Sequence, residues 1–400
     1  MIKTELKVKT GDEDVRPYNN EKQYDINMMF VLFIFAVVSC FYVFLAQQQE
    51  QYDTNFVIMQ IAFYIISFLI AFVVLHFDFE YYLNLHWIFY GFGIFMLIVL
   101  VLAPDSIAPE TEGATRWFNI GPINLQPSEF MKVFVIITLS SVIYRHNNMF
   151  TPKEFRSDIW LLAKMGAVIL PPIILLYFQP DMGMIMMMVA IAIGLTLVSG
   201  ISYKLLSVLY GVPAFLFGSF IVAYFRFPEV VQRLLFDHMR DYQVNRFHGW
   251  LQPLEYSDDG FQVAQAMTAI GSGGLTGSSE HNVYFPEAHT DLIFAVIGME
   301  TGFIGTAIVI TLYFILFYQI MMTAIRSHHS FGTYICAGVI ALFTFQVFQN
   351  IGMNIGLLPV TGFTLPLISY GGSSLLSSLL ALGLVLGVRY HSKSYFFEEE

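Results

Sequence analysis

Long, almost uninterrupted apolar runs constrain this chain more than any other feature. Met28–Ala46 and Met182–Val198 are two of them. A transmembrane β-barrel would alternate apolar and polar residues in short segments. A helix needs about 20 apolar residues to cross a hydrocarbon core. Ten runs meet or approach that need: 28–47, 55–76, 85–103, 129–145, 159–178, 182–199, 205–225, 292–322, 332–350 and 367–388. The expected fold is therefore all-α, a polytopic membrane protein of about ten transmembrane helices. The run 292–322 is too long for one upright helix, so it tilts or begins outside the bilayer. The runs 129–145 and 182–199 are the shortest.

Composition agrees. Of 400 residues, 56% are apolar and 12% charged, where soluble domains carry about a quarter charged. An ordinary soluble enzyme and a disordered chain are both excluded. The net charge of −11, from 19 Lys+Arg against 30 Asp+Glu, gives no reason to expect nucleic acid. Both cysteines, Cys40 and Cys336, lie inside apolar runs and read as small hydrophobes, not a disulfide framework. The first 25 residues are polar and acidic, and no small-residue cleavage site follows the first apolar run, so no cleavable signal peptide is expected.

Lysine and arginine set the orientation. With the N-terminus inside, the inner connections carry Lys3, Lys7, Lys9, Arg16, Lys22, Arg145, Lys153, Arg156, Lys204, Arg326, Arg389 and Lys393. The outer ones carry Arg116, Arg226, Arg233, Arg240 and Arg246, four of them in one long loop that counts little in this rule. Both termini are expected in the cytoplasm. The layout is then an acidic tail at 1–27, a membrane domain at 28–388 and a short tail at 389–400. The outer face holds the long loops, about 104–128 and 226–290, with a Pro/Gly-rich stretch at 351–366. Chemistry is expected there, because long irregular loops usually carry it.

Ionisable residues in or beside spans are costly and are functional candidates by default. Glu129 and Lys132 stand three apart and share a helix face, as a bland ion pair or a site pair. Lys164 can simply snorkel to the interface. Asp181 suits an N-cap of the helix that follows. The richest stretch is Glu280 to Asp291. If extended, its Glu287, His289 and Asp291 face one way; if helical, Glu287 and Asp291 still share a face. A polar loop entering the membrane is the plain alternative. Tyr242–Arg246 and the Gly-rich Ile270–Leu275 could hold phosphates, or form a surface loop. No Gly-Lys-Ser/Thr follows, so this is no nucleotide-binding loop. The small residues of Pro359–Gly362 and Ser369–Ser374 read mainly as helix packing.

These segments together resemble the SEDS family (shape, elongation, division and sporulation), which includes RodA, FtsW and SpoVE. The matching motifs are Arg116-Trp117, Gln126-Pro127-Ser128-Glu129 with Lys132, and Gln179-Pro180-Asp181. Tyr242-Gln243 with Arg246 and Pro253 follows, then Ala269 to Leu275 and Phe285 to Asp291. Asn354 to Pro359 and Leu365 to Ser374 complete the set. The Ile270–Gly274 form, the Arg246–Pro253 segment and Pro359–Gly362 look more like RodA than FtsW. Ser278-Ser279-Glu280 and Met299-Glu300 depart from the usual pattern.

The resemblance implies a peptidoglycan glycosyltransferase that polymerises lipid II on the outer face of the bacterial cell membrane and releases undecaprenyl diphosphate. It implies a class B penicillin-binding protein as partner. Asp291 maps to the family's catalytic aspartate. Arg116, Lys132 and Arg246 are then candidates for holding diphosphates, with Glu129 orienting Lys132. Asp181 would line the cavity, and Trp117 would contact lipid or sugar. Glu287, His289 and Ser369 are supporting candidates. A divalent cation (Mg or Mn) is compatible with this chemistry, and no organic cofactor is expected. The rival readings are a division- or sporulation-type polymerase, a lipid II flippase and a non-enzymatic scaffold. A flippase of transporter type would show repeats and broken helices in matching positions, and none is legible.

Overall fold

The computed structural model describes residues 24–48, 55–110, 114–120, 123–150, 155–238, 244, 249–251, 257–278 and 288–391. Nine helices among them are long and apolar enough to cross a membrane. They are α1 (Ile26–Gln47), α2 (Phe56–His76), α3 (Phe79–Leu102), α4 (Pro127–Met149), α5 (Phe155–Phe178), α7 (Tyr203–Arg226), α10 (Ile293–Arg326), α11 (Ser330–Asn354) and α12 (Gly372–His391). The apolar α6 (Met182–Val198) is the tenth, about 25 Å long at 1.5 Å per residue. Outside them lie α8 (Pro228–Leu234), the amphipathic α9 (Ser257–Ser272) and a hairpin of β1 (Phe118–Ile120) and β2 (Ile123–Leu125). The chain is an all-α polytopic membrane protein with one small hairpin that the hydropathy pattern did not announce.

Helix position explains helix composition. The most apolar stretch of α4 is 78% buried and that of α12 is 72%, against 6% for α7. So α4 and α12 form the centre of the bundle, and α7 stands at its edge. A central helix meets protein, not lipid, and tolerates Thr138, Ser140 and Ser141, all fully buried. That is why the run 129–145 looks short by hydropathy alone. Helix ends are capped from within the sequence: Asp25, Asn55 and Asp181 accept from Met28, Ile58 and Met184 backbone N–H groups.

The long run 292–322 is broken within its length. Gly302 in α10 adopts φ 61 and ψ −156, and the helix restarts beyond it. The turn after α9 fills the break. Phe303 N–H donates to the Gly274 carbonyl at 3.0 Å, Ile304 N–H to Leu275 at 3.2 Å, and Ser278 N–H to Met299 at 2.9 Å. A Cβ on Gly273 would lie 1.9 Å from the Gly298 oxygen. The Gly-rich segment is therefore a backbone-to-backbone seam. The Gly277 N–H donates to the Gly273 carbonyl at 2.8 Å, and that donor is not available to a phosphate. Gly302→Ala should cost about 1–3 kcal/mol, because this φ/ψ region is essentially reserved for glycine. The check is thermal unfolding in detergent, and an unchanged Tm would contradict the seam.

The last span also differs from its expected bounds. Residues 355–371 are irregular, and α12 begins only at Gly372 and runs to His391. The outer stretch expected at 351–366 thus shifts to 355–371, since α11 extends to Asn354.

Candidate functional site

Irregular backbone at membrane depth is tolerated only where protein satisfies its polar groups. The segment 359–371 shows how. Seven of its carbonyls receive a side-chain donor from a surrounding helix. Gln349 reaches Pro359 at 3.0 Å, Asn350 reaches Phe363 at 2.6 Å, and Gln346 reaches Thr364 at 3.2 Å. The Tyr313 and Tyr64 hydroxyls donate to Pro366 and Leu367. Ser39 donates to Ile368 at 2.7 Å, and Gln60 to Ser369 at 3.1 Å. Leu367 is held at φ 66, a left-handed conformation that a branched side chain adopts only when its surroundings impose it.

This buttressed loop carries the turn 288–292 on its flank. Ser369 Oγ accepts from Leu365 N–H at 2.7 Å and donates to the Thr290 carbonyl at 2.6 Å. Tyr370 N–H donates to the His289 carbonyl at 2.8 Å. The His289 ring is 7% exposed, and it stacks on Phe56 with centroids 4.2 Å apart and 15° between planes. Asp291 follows, half-buried, just ahead of α10. Thr290 Oγ1 donates to Asp291 Oδ1 at 3.3 Å. A Cβ on Gly362, which has φ 69, would stand 4.0 Å from Asp291 Oδ2. Glycine there keeps the carboxylate's surroundings clear.

A second polar group lies across the same loop. The β-hairpin pairs Phe118 with Leu125, which places Arg116 at its base. Arg116 donates to the Pro180 carbonyl at 2.9 Å. The Asp181 Oδ1 atom caps α6, and its Oδ2 accepts from Gln126 Nε2 at 3.3 Å. Burial pushes the Asp181 carboxyl above the usual carboxylate range, the Glu129 charge adds to this, and the Met184 N–H, Arg116 and Gln126 oppose it. Glu129 and Lys132 form an ion pair inside α4, with side chains 7% and 0% exposed. Ser377 donates to Glu129 Oε2 at 2.7 Å.

The start of α12 ties the two groups together. Ser373 accepts from Gln126 N–H at 3.0 Å, Ser377 holds Glu129, and Ser374 meets Thr364 at 2.9 Å. From the α6 side, a Cβ on Gly183 would sit 3.5 Å from the Thr361 carbonyl. Asp181 and Asp291 therefore flank one short segment, 361–363. Carboxylates, one arginine and a hydroxyl-rich rim gather at one end of the bundle, beside the hydrocarbon layer. Such a site can take a proton from an alcohol and face an anionic group on a lipid.

Comparison with known proteins fits this arrangement. The family model for FtsW, RodA and SpoVE, described as a cell cycle protein, matches residues 22–394. The chain belongs to the FtsW/RodA/SpoVE family. A probable peptidoglycan glycosyltransferase FtsW of Taylorella equigenitalis is 35% identical over 76% of this chain and 80% of that protein. Stage V sporulation protein E of Bacillus subtilis is 33% identical over 75% of this chain and 77% of its own length. Among solved structures, one component of a peptidoglycan synthase complex that coordinates polymerization and crosslinking has TM-score 0.75 and 25% identity. It covers 92% of this chain and 97% of its own. The rod shape determining protein RodA of Thermus thermophilus has TM-score 0.65 and 25% identity, covering 92% and 97%.

Placed in this family member, most of the sequence candidates meet. Asp291, His289 and Ser369 share the loop system described above; Arg116, Glu129, Lys132 and Asp181 share the other group, with Trp117 half-buried beside Arg116. Arg246, Glu287, Tyr242-Gln243 and Glu280–Pro286 lie outside the described residues. Ser369 acts as a backbone clip, since its hydroxyl is used on both sides. The Lys132 ammonium is buried against Glu129 in this conformation. Residues that the sequence reading passed over are the uncharged ones: Gln60, Tyr64, Tyr313, Gln346, Gln349 and Asn350, while Asn354 entered only as the start of a motif. Amides recurring at 346, 349, 350 and 354 along one helix face were the available signal.

Proposed function

We propose that this chain is a peptidoglycan glycosyltransferase that polymerises lipid II at the outer face of the bacterial membrane, with Asp291 as general base. Family membership supplies the reaction class. One observation carries the assignment of the base: Asp291 Oδ2 faces Gly362 at the end of the bundle, across segment 361–363 from Arg116 and Asp181. The outer-face placement rests on the Lys/Arg asymmetry of the loops.

In the reaction a sugar hydroxyl attacks the anomeric carbon that bears the diphosphate. The new glycosidic C–O bond forms, the bond from carbon to the diphosphate oxygen breaks, and undecaprenyl diphosphate leaves with the electron pair. Asp291 takes the hydroxyl proton. Cationic groups stabilise the leaving diphosphate. Arg116 and Arg246 are assigned that task, Lys132 neutralises Glu129, and Asp181 and Trp117 line the cavity. Glu287 and His289 support the Asp291 turn.

A divalent cation, Mg or Mn, fits the diphosphate chemistry. Among the described residues no three His, Cys, Asp or Glu side chains cluster to hold one. Magnesium commonly needs only one or two carboxylates beside substrate phosphates. The cation would supply charge to the diphosphate. If so, excess chelator lowers polymerisation several-fold or more; full activity in chelator would dismiss it. The partner proposed is a class B penicillin-binding protein supplying the transpeptidase.

The test is polymerisation of labelled lipid II by purified protein, alone and with a cognate class B penicillin-binding protein. Glycan polymer is the expected product. Lipid II translocation across vesicles without polymer, with the partner present, would make the chain a flippase; neither activity would leave a scaffold.

A further inference from the structure

We propose that Asn350 and Asn354 are positioning residues that aim the Asp291 carboxylate by fixing the peptide plane on its C-terminal side. The inference rests on Asp291 being the general base. The Asp291 carbonyl lies just outside the α10 hydrogen-bond ladder, whose first acceptor is Leu292, bonded by the Ala295 N–H at 3.0 Å. Away from water, a carbonyl without a donor is costly. Two amides supply donors. Asn350 Nδ2 reaches the Asp291 oxygen at 2.8 Å, and Asn354 Nδ2 reaches it at 3.1 Å.

Each amide then uses its other hydrogen to anchor itself. Asn350 donates to the Phe363 carbonyl at 2.6 Å, and Asn354 to the Asn350 carbonyl at 2.9 Å. Both side chains are 0% exposed. The clasp therefore joins Asp291 to the same loop that brings Gly362 beside its carboxylate.

Geometry turns this clasp into aim. A peptide unit is planar, so fixing its carbonyl fixes the unit. Ser369 holds the Thr290 carbonyl, which belongs to the unit before the Asp291 Cα. Asn350 and Asn354 hold the unit after it. With both units fixed, the Cα–Cβ direction is fixed too, and only the side-chain torsions of Asp291 remain free. Among uncharged side chains, only a primary amide offers two donors on one nitrogen. A leucine of similar size fills the space and offers none.

The experiment compares wild type, Asp291→Asn, Asn350→Leu and Asn354→Leu, all full-length in nanodiscs with labelled lipid II. Asn350→Leu should lower kcat roughly 100-fold, the cost of about 1 Å of misplacement at a reacting group. KM and directly measured lipid II binding should stay near wild type, and Tm should fall only slightly, because the Phe363 carbonyl loses the Asn350 donor. Asn354→Leu should lose less, because Asn350 still holds the Asp291 carbonyl and the Phe363 loop. It also keeps the proposal testable if Asn350→Leu fails to fold. Loss of kcat at constant binding, with a protein still fully folded at the assay temperature, supports aiming. Activity within about twofold of wild type in both variants overturns it, and so does a loss matched by loss of folded protein or of binding. A wild-type level of polymer from Asp291→Asn would instead overturn the general-base assignment itself.

Discussion

Replacing Asp291 by Asn is expected to reduce lipid II polymerisation by about 100- to 10,000-fold, the range a positioned general base contributes. The change is nearly isosteric. Asn can still accept the Thr290 Oγ1 hydrogen bond at Oδ1, and the backbone bonds from Asn350 and Asn354 do not involve the side chain. Tm, membrane insertion and copurification with the penicillin-binding protein should therefore remain at wild-type levels. What disappears is the acceptor for the hydroxyl proton. An initial-rate assay of polymer length and yield reads this directly. A rate within about tenfold of wild type would mean that another group accepts the proton, and Asp291 would lose its role.

Much of this architecture was legible because hydrocarbon imposes simple rules. Each of the ten apolar runs corresponds to a helix, nine of them long enough to cross a membrane, and most ends fall within a few residues of the observed helices. The failures have physical causes. A central helix such as α4 hides from a hydropathy count, because it is solvated by other helices. The break at Gly302 is easily missed, since the wider stretches on both sides remain apolar and helical although Glu300 and Thr301 stand beside it. The irregular stretch 365–371 looks like a span start, because Leu365, Pro366, Leu367 and Ile368 are apolar, while the carbonyls of the last three are satisfied from afar by Tyr313, Tyr64 and Ser39. The site was half legible for the same reason. Charges in spans announce themselves, so Glu129, Lys132, Asp181 and Asp291 stood out. Neutral amides such as Asn350 do not, although they make the geometry. Spacing could not say which charges were accessible, and Lys132 is buried against Glu129.

That burial makes the second large prediction. In Lys132→Met the Glu129 carboxylate keeps Ser377 as a donor but loses its only ion-pair partner among the described residues. Breaking a buried pair from one side typically costs about 3–5 kcal/mol, because the remaining charge cannot reach water. Lys132→Met should accordingly show a large fall in Tm in detergent. Replacing both partners, as Glu129→Gln with Lys132→Met, removes the stranded charge, and Gln can still accept from Ser377. Most of the lost stability should return, giving a strongly non-additive cycle. Additive losses would show that the two side chains are not coupled in the folded protein. Polymerisation by the double variant then divides two roles that stability alone cannot separate. A stable and active double variant makes the pair a structural strut of the central helix. A stable but inactive one means that the sealed lysine is uncovered during turnover, and it returns Lys132 to the diphosphate alongside Arg116.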